Sequence, residues 1–387
     1  MHSFHPPLVC LGCPRGKPQP RQEYAGGTFF DGWDYYGHWD DLNNGNVIFV
    51  NKTNATNLAY VAPSGHAIIT VDNTSVVPND YPRNSVRITS QDYFELGTVF
   101  VVDAVHLPYG CSVWPSIWTK GDNWPHNGEI DIIEGVNLMT YNQRALHTDP
   151  GCSAAADTNQ TGKAGPLDCS PTSGCTVQET TPNSYGAAFA NNGGGVWAVQ
   201  FDVSGIFIWF WQRANDPSLV TSTSATTALD ISSWGPPSAA YPSGSSCNIT
   251  KSFGAQQLVI DITLCGDWAG TQDTYAATCG NSTYNACYLT NVIGQGTYTD
   301  AHFELNYIRA FAASNAAVVN ESAINSTTSA SGGSSGAGGL APSTSTSDAA
   351  SGSPTGKTKI NGTMASALTP KALVVVSGLL ALARLLL

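Results

Sequence analysis

Between Glu23 and Phe311 the chain is cut into short runs of β-branched and aromatic residues, divided by Gly, Pro and Asn. Examples are Val47-Ile48-Phe49-Val50, Ala67-Ile68-Ile69-Thr70-Val71, Ser85-Val86-Arg87-Ile88-Thr89 and Val99-Phe100-Val101-Val102-Asp103. Others are Trp197-Ala198-Val199-Gln200-Phe201, Ile206-Phe207-Ile208-Trp209-Phe210-Trp211, Leu258-Val259-Ile260-Asp261-Ile262 and Phe303-Glu304-Leu305-Asn306-Tyr307-Ile308. Runs of this length with turn residues between them predict an all-β sandwich of two antiparallel sheets. No long amphipathic helix and no repeat of the solenoid kind interrupts them. Composition agrees. Only 11% of residues are charged, against about 25% in an average soluble protein, which excludes a coiled coil. Ten tryptophans and 10% aromatics exclude disorder along the whole chain. The net charge of −12, with no cluster of lysines and arginines, excludes a nucleic-acid or anionic-membrane partner, because phosphate binding needs concentrated positive charge.

Ten cysteines are present, eight of them between Cys111 and Cys287. Their spacings fit no zinc site, and Cys10-Leu11-Gly12-Cys13 has no second pair. An even set among Gly, Ser and Thr loops reads as up to four disulfides and an oxidising compartment. Nine Asn-x-Ser/Thr sequons, at Asn51, Asn54, Asn73, Asn159, Asn248, Asn281, Asn320, Asn325 and Asn361, point to passage through the secretory pathway. Residues 1–21 carry five prolines and no apolar run of signal-peptide length, so they read as an atypical leader. The sandwich is expected over 22–313. A Ser/Thr/Gly-rich stalk is expected over 314–363, since such a stretch buries too little apolar surface to offset its conformational entropy. Residues 364–387 end in a 16-residue apolar tail interrupted by Arg384, short of the about 20 residues of a spanning helix. Small residues Asn361-Gly362-Thr363 before the spacer and tail match a glycosylphosphatidylinositol signal with Asn361 as attachment site. Ser351-Gly352-Ser353 is an alternative site, and a simple hydrophobic terminus is the alternative reading. The expected location is the cell surface, with membrane contact only through the lipid.

The stretch richest in chemistry is Gly128-Glu129-Ile130-Asp131-Ile132-Ile133-Glu134-Gly135. As a strand it places Glu129 and Asp131 on one face and Ile130 and Ile132 on the other. Strict alternation would send Glu134 into the core, where a lone carboxylate is costly. One extra residue in a β-bulge around Ile132-Ile133 returns Glu134 to the face of Glu129. Three acids in a row repel one another, so the arrangement needs a use. Calcium usually takes ligands from a looping backbone, which an isoleucine-rich strand is not. A solvated edge would not bring Trp114, Trp118 and Trp124 with it. Indole rings stack on sugar faces, so carboxylates beside tryptophans point to glycoside chemistry. With the bulge, the two glutamates stand about four strand steps or ~13 Å apart at Cα. Leaning inward, their carboxyl groups can approach the ~5–5.5 Å of a retaining glycosidase. Glu129 is then the nucleophile, Glu134 the acid/base held protonated by its acidic neighbours, and Asp131 the helper that sets the charge of Glu129.

Glu-Ile-Asp-Ile-Ile-Glu-Gly-Val-Asn, with Trp-Pro-Ser-Ile-Trp at 114–118 and Ala145-Leu146-His147-Thr148, resembles family 16 of the glycoside hydrolases, in the branch of fungal laminarinases and endo-1,3(4)-β-glucanases. The resemblance extends to Phe29-Phe30-Asp31-Gly32-Trp33-Asp34-Tyr35-Tyr36, Asn84-Ser85-Val86-Arg87-Ile88 and Cys265-Gly266-Asp267-Trp268-Ala269-Gly270. It implies a β-jelly-roll with a concave cleft, retaining hydrolysis of β-1,3 or mixed-linkage glucans, and the same roles for Glu129, Asp131 and Glu134. His147 resembles a family histidine facing the cleaved sugar; a structural histidine is the alternative. Trp118, Trp124 and Trp268 are candidate stacking platforms, and Arg87 is a candidate contact to a sugar hydroxyl or a surface arginine. Trp33, Trp209 and Trp211 read as core. The partner is a β-glucan, met by a monomer without cofactor or metal. Glucan transglycosylation by the same residues and non-catalytic glucan binding are the rival readings.

Overall fold

Alternating apolar and polar positions resolve, in the computed structural model, into two large antiparallel sheets facing each other across one core. Residues 17–217 and 228–312 are described, together with the backbone of Val318–Asn320. The first sheet runs Ala239–Pro242, Gly205–Gln212, Gly195–Asp202, Thr98–His106, His302–Ala312, Ala67–Thr70 and Ala59–Val61, and Gln19–Ala25 also pairs with His302–Ala312. The second runs Lys163–Ala164, Cys175–Gln178, Gln143–His147, Glu129–Glu134, Val113–Gly121, Gln256–Leu264, Arg87–Ser90 and Trp33–Tyr35. Period two decides which side chains meet. Phe100, Val199 and Ile208 point inward from the first sheet, and Ile117, Ile130, Leu146 and Ile260 from the second, all fully buried in the shared core.

The outer face of the first sheet carries a second apolar layer. Val99, Val101, Val196, Ala198 and Trp209 pack there under Leu229 and Trp234. Trp209 and Trp211 therefore belong to this outer layer rather than to the core between the sheets, whereas Trp33 lies in the central core. Among the described residues four disulfides join Cys111 to Cys279, Cys152 to Cys247, Cys169 to Cys175 and Cys265 to Cys287.

Two boundaries differ from the sequence reading. Gln19, Pro20 and Arg21, expected in the leader, open the strand Gln19–Ala25, with a register shift between Pro20 and Gln22. Val318–Asn320, expected in the stalk, pairs with Asp92–Phe94. Both segments add backbone hydrogen bonds to an existing strand, and backbone groups are indifferent to the side-chain composition that suggested otherwise. Of the sequon residues, Asn51, Asn54, Asn159 and Asn248 are exposed and Asn73 and Asn281 half-buried. Asn325, Asn361 and the apolar tail lie outside the described residues, as does Cys10-Leu11-Gly12-Cys13. Among the described residues no helix is long and apolar enough to cross a membrane.

Candidate active site

The strand Glu129–Glu134 lies between Gln143–His147 and Val113–Gly121, and its register shows how the three acids share a face. Glu129 stands opposite His147 and Lys120, Asp131 opposite Ala145 and Trp118, and Glu134 opposite Gln143 and Ser116. From Asp131 to Glu134 is three steps, against two from Ala145 to Gln143 and two from Trp118 to Ser116. The surplus residue against Val113–Gly121 is Ile132, since Ile133 pairs with Ile117. This is the expected bulge. It lets Ile130, Ile132 and Ile133 all reach the core while the carboxylates face outward into a cleft of about 800 Å³.

A bulge leaves backbone groups unpaired, and here one buried side chain takes up two of them. Asn142 Oδ1 accepts from the Glu134 amide at 2.8 Å, and Asn142 Nδ2 donates to the Ile132 carbonyl at 2.9 Å. The Asn142 backbone is held in turn by Ser184 Oγ. Gly135, directly after the bulge, has Tyr185 ring atoms 2.8 Å from where a Cβ would sit, so a side chain there would press on the strand end.

Each glutamate is gripped by an indole. Trp114 Nε1 donates to Glu134 Oε1 at 2.8 Å, and Trp124 Nε1 donates to Glu129 Oε2. Asp131 lies between them, 3% exposed. His147 Nε2 sits 3.1 Å from Asp131 Oδ2 and 3.8 Å from Glu129 Oε1. Burial, reinforced by the Asp131 charge, raises Glu129 to about 8, against the pull of His147, the Trp124 N–H and Arg87. Burial and then Asp131 hold Glu134 well above its ordinary 4.5, opposed by the Trp114 N–H and by His147. Burial disfavours the His147 cation, but the Asp131 carboxylate overcomes it and lifts His147 to about 9. The sequence reading credited the neighbouring acids with the shift at Glu134; desolvation is the larger cause, and Glu129 the smallest.

These couplings give an expected pH effect. Replacing His147 by glutamine removes the cation that lowers Glu129, so Glu129 should ionise at higher pH. If the chain turns over a glucan, the acid limb of its kcat/KM profile should then move up by a measurable fraction of a pH unit. An unmoved or lowered limb would contradict the electrostatic role of His147.

The sugar-contact candidates divide. Trp118, Trp124 and Trp268 all line the cleft. Trp118 is only 6% exposed, its N–H donating to Asp261 Oδ2 at 3.2 Å, and Trp268 sits edge-on to Trp114 at 5.5 Å. Arg87 neither lines the cleft nor lies on the surface. It is 5% exposed, with its guanidinium over the rings of Tyr36 (4.8 Å) and Trp118 (5.3 Å) and 3.9 Å from Asp261. Its strand neighbour Asp261 faces the cleft, and the two aromatic rings occupy the space that an outward Arg87 would need. Sequence reasoning missed Asp261, which burial raises to about 7 despite Arg87, and Gln143, which flanks Glu134. Period two along Leu258–Ile262 would have put Asp261 on the polar face; nothing local marked Asn142. A further wall comes from Ser170, Pro171, Thr172 and Ser173, inside the loop closed by Cys169–Cys175.

Residues 33–311 match the family described as XgeA-like, catalytic GH16 domain. A probable endo-1,3(4)-beta-glucanase of Aspergillus fumigatus is 36% identical over 315 residues, 78% of this chain and 47% of that protein. The chain spans about half the length of the curated relatives it matches, for example 62% of one and 37% of another. Among solved structures, GH16 Laminarinase 16A from Phanerochaete chrysosporium, with beta-glucans in donor and acceptor sites, superposes with a TM-score of 0.70 at 32% identity, covering 76% of this chain and 100% of that one. An elongating family 16 beta-1,3-glucosyltransferase superposes at 0.69 with 35% identity, covering 76% and 99%. The jelly-roll, the bulged acidic strand and these matches together make the chain a member of glycoside hydrolase family 16.

Proposed function

We propose that the chain is a retaining endo-β-1,3(4)-glucanase acting on laminarin-type or mixed-linkage glucans. The observation that carries the reading is the bulge at Ile132, which sets Glu129, Asp131 and Glu134 on one cleft face with an indole N–H on each glutamate. Glu134, held protonated by burial, gives its proton to the glycosidic oxygen as that bond breaks. Glu129 is the nucleophile, its anion favoured by His147, the Trp124 N–H and Arg87. It attacks the anomeric carbon and forms a glycosyl ester. Glu134, now an anion, takes a proton from water, which displaces Glu129 with net retention. Asp131 and His147 form a charged pair beside the nucleophile and supply the field in which its charge comes and goes. Incubation with laminarin, lichenin and barley glucan, with products sized over time, tests this. Internal cleavage of at least one is expected; intact polymer in all three would refute it.

Transfer to a second sugar instead of water is the second reading, favoured by the likeness to an elongating glucosyltransferase. Added oligosaccharide acceptors discriminate, since products longer than the donor arise only by transfer. The protein is also proposed to act as a glycosylated monomer at the cell surface, tethered by lipid through Asn361. A form carrying a functional signal peptide should be released from cells by phosphatidylinositol-specific phospholipase, and removal of residues 364–387 should send it to the medium. Retention after the lipase with the tail still attached would rule out the anchor.

A further inference from the structure

Asp131 Oδ2 is a buried carboxylate oxygen that receives no hydrogen bond, although the His147 ring nitrogen stands 3.1 Å from it. The approach is an ion-pair distance without the alignment of a hydrogen bond. Glu129 Oε1 lies 3.8 Å from the same nitrogen, and one ligand atom from each of Glu129, Asp131 and His147 falls within 4.8 Å of the others. Trp124 engages the other Glu129 oxygen, which leaves Oε1 on the histidine side. The three residues sit on two paired strands, with Glu129 directly opposite His147, so their spacing is set by sheet geometry rather than by a loop.

We propose that these residues form a binding site for a borderline divalent cation, with Zn2+ as the probe, and that an ion held there blocks glucan turnover. Two carboxylate oxygens and one imidazole nitrogen suit Zn2+ and its transition-metal neighbours, whereas Ca2+ and Mg2+ prefer oxygen throughout. Zinc bonds of ~2.0–2.2 Å place neighbouring donors about 3–3.5 Å apart, so the 3.1 Å from His147 to Asp131 already fits and Glu129, 3.8 Å from His147, has to close in. The fourth position opens on the cleft. An ion coordinated by Glu129 removes the electron pair that the proposed nucleophile would donate, and it occupies the ground beneath the reacting sugar. Binding stands independently of the glucanase reading; only the inhibition rests on it.

Titration calorimetry of the folded full-length chain with ZnCl2 in a non-coordinating buffer should give one saturable site per chain. His147→Ala and Asp131→Asn should each weaken it at least about tenfold, whereas Glu134→Gln, outside the set, should bind as the parent does. Ca2+ should give no heat at this site. Visible absorption of the Co2+ form of the unaltered protein should show the ligand-field bands of an imidazole-bound ion, a measurement independent of whether the variants fold. Absence of one-to-one Zn2+ binding, absence of the Co2+ bands, or undiminished binding by folded His147→Ala would each overturn the proposal. If the chain cleaves glucan, Zn2+ should inhibit competitively with laminari-oligosaccharide; noncompetitive inhibition would place the ion elsewhere. If it cleaves none, the binding measurements still decide.

Discussion

Glu129→Ala should lower turnover of a β-glucan by on the order of 10⁴-fold or more while leaving the circular dichroism spectrum unchanged. Azide or formate should partly restore cleavage of an activated glucoside, because a small anion can enter the space the carboxylate leaves and attack the anomeric carbon itself. That product has inverted configuration, and rescue with retention would remove Glu129 from the nucleophile's role. Glu134→Gln should cost about 10²–10⁴-fold on a natural glucan, yet raise stability at neutral pH. Folded Glu134 keeps its proton well above 4.5, where the unfolded chain has already lost its own. The folded form therefore binds more protons, and stability falls as pH rises from the unfolded value. Glutamine has no proton to lose, so its thermal advantage over the parent should grow from about pH 4.5 towards neutrality. A melting temperature no higher than the parent's at pH 7 would contradict the burial argument.

The second large effect concerns the bulge. An alanine inserted after Ile133 should abolish activity whichever way the strand responds. If the bulge persists, Glu134 slips by one residue and reverses face. If it flattens, the glutamates stand about six steps or ~20 Å apart. Deleting one of the two isoleucines leaves Glu-Ile-Asp-Ile-Glu, which needs no bulge and keeps all three acids on the cleft, at the cost of a fully buried side chain. Measurable though reduced activity is expected from the deletion and none from the insertion. Asn142→Ala tests the same feature from the other side, since it strands the Glu134 amide and the Ile132 carbonyl. Each buried orphan costs about 1–3 kcal/mol, and the loosened acid/base should lower kcat by about 10²-fold. Equal loss of activity by deletion and insertion variants of equal stability would refute the parity argument, as would a fully active Asn142→Ala.

What the residues disclose in advance depends on how far apart their partners lie in the chain. The strands were legible because β-branching and period two are local properties, and the bulge because a lone glutamate buried beside isoleucines is physically unacceptable. Asn142 was not legible. Its worth depends on the pairing of Glu129–Glu134 with Gln143–His147, and a lone asparagine eight residues on from Glu134 looks like any turn residue. Trp114 and Trp124 were noticed as sugar-stacking surfaces, but an indole has a polar edge as well as a face, and here the edge holds the acids. Arg87 holds a strand position on the cleft side, and only the rings of Tyr36 and Trp118 show that it is covered.

The disulfides bear on how rigidly the cleft is built. Cys169–Cys175 closes the loop that supplies Ser170 to Ser173, and Cys152–Cys247 ties down the chain just beyond Thr148, Asp149 and Pro150. That flank of the groove is cross-linked on both sides, so little of it has to be ordered when a ligand arrives, and less binding energy is lost to immobilisation. The shape of this side is cast as a mould during oxidative folding, before any ligand is encountered. Substitutions within the loop should redraw the shape of the mould, whereas loss of its cross-link should soften it towards a broader range of ligands.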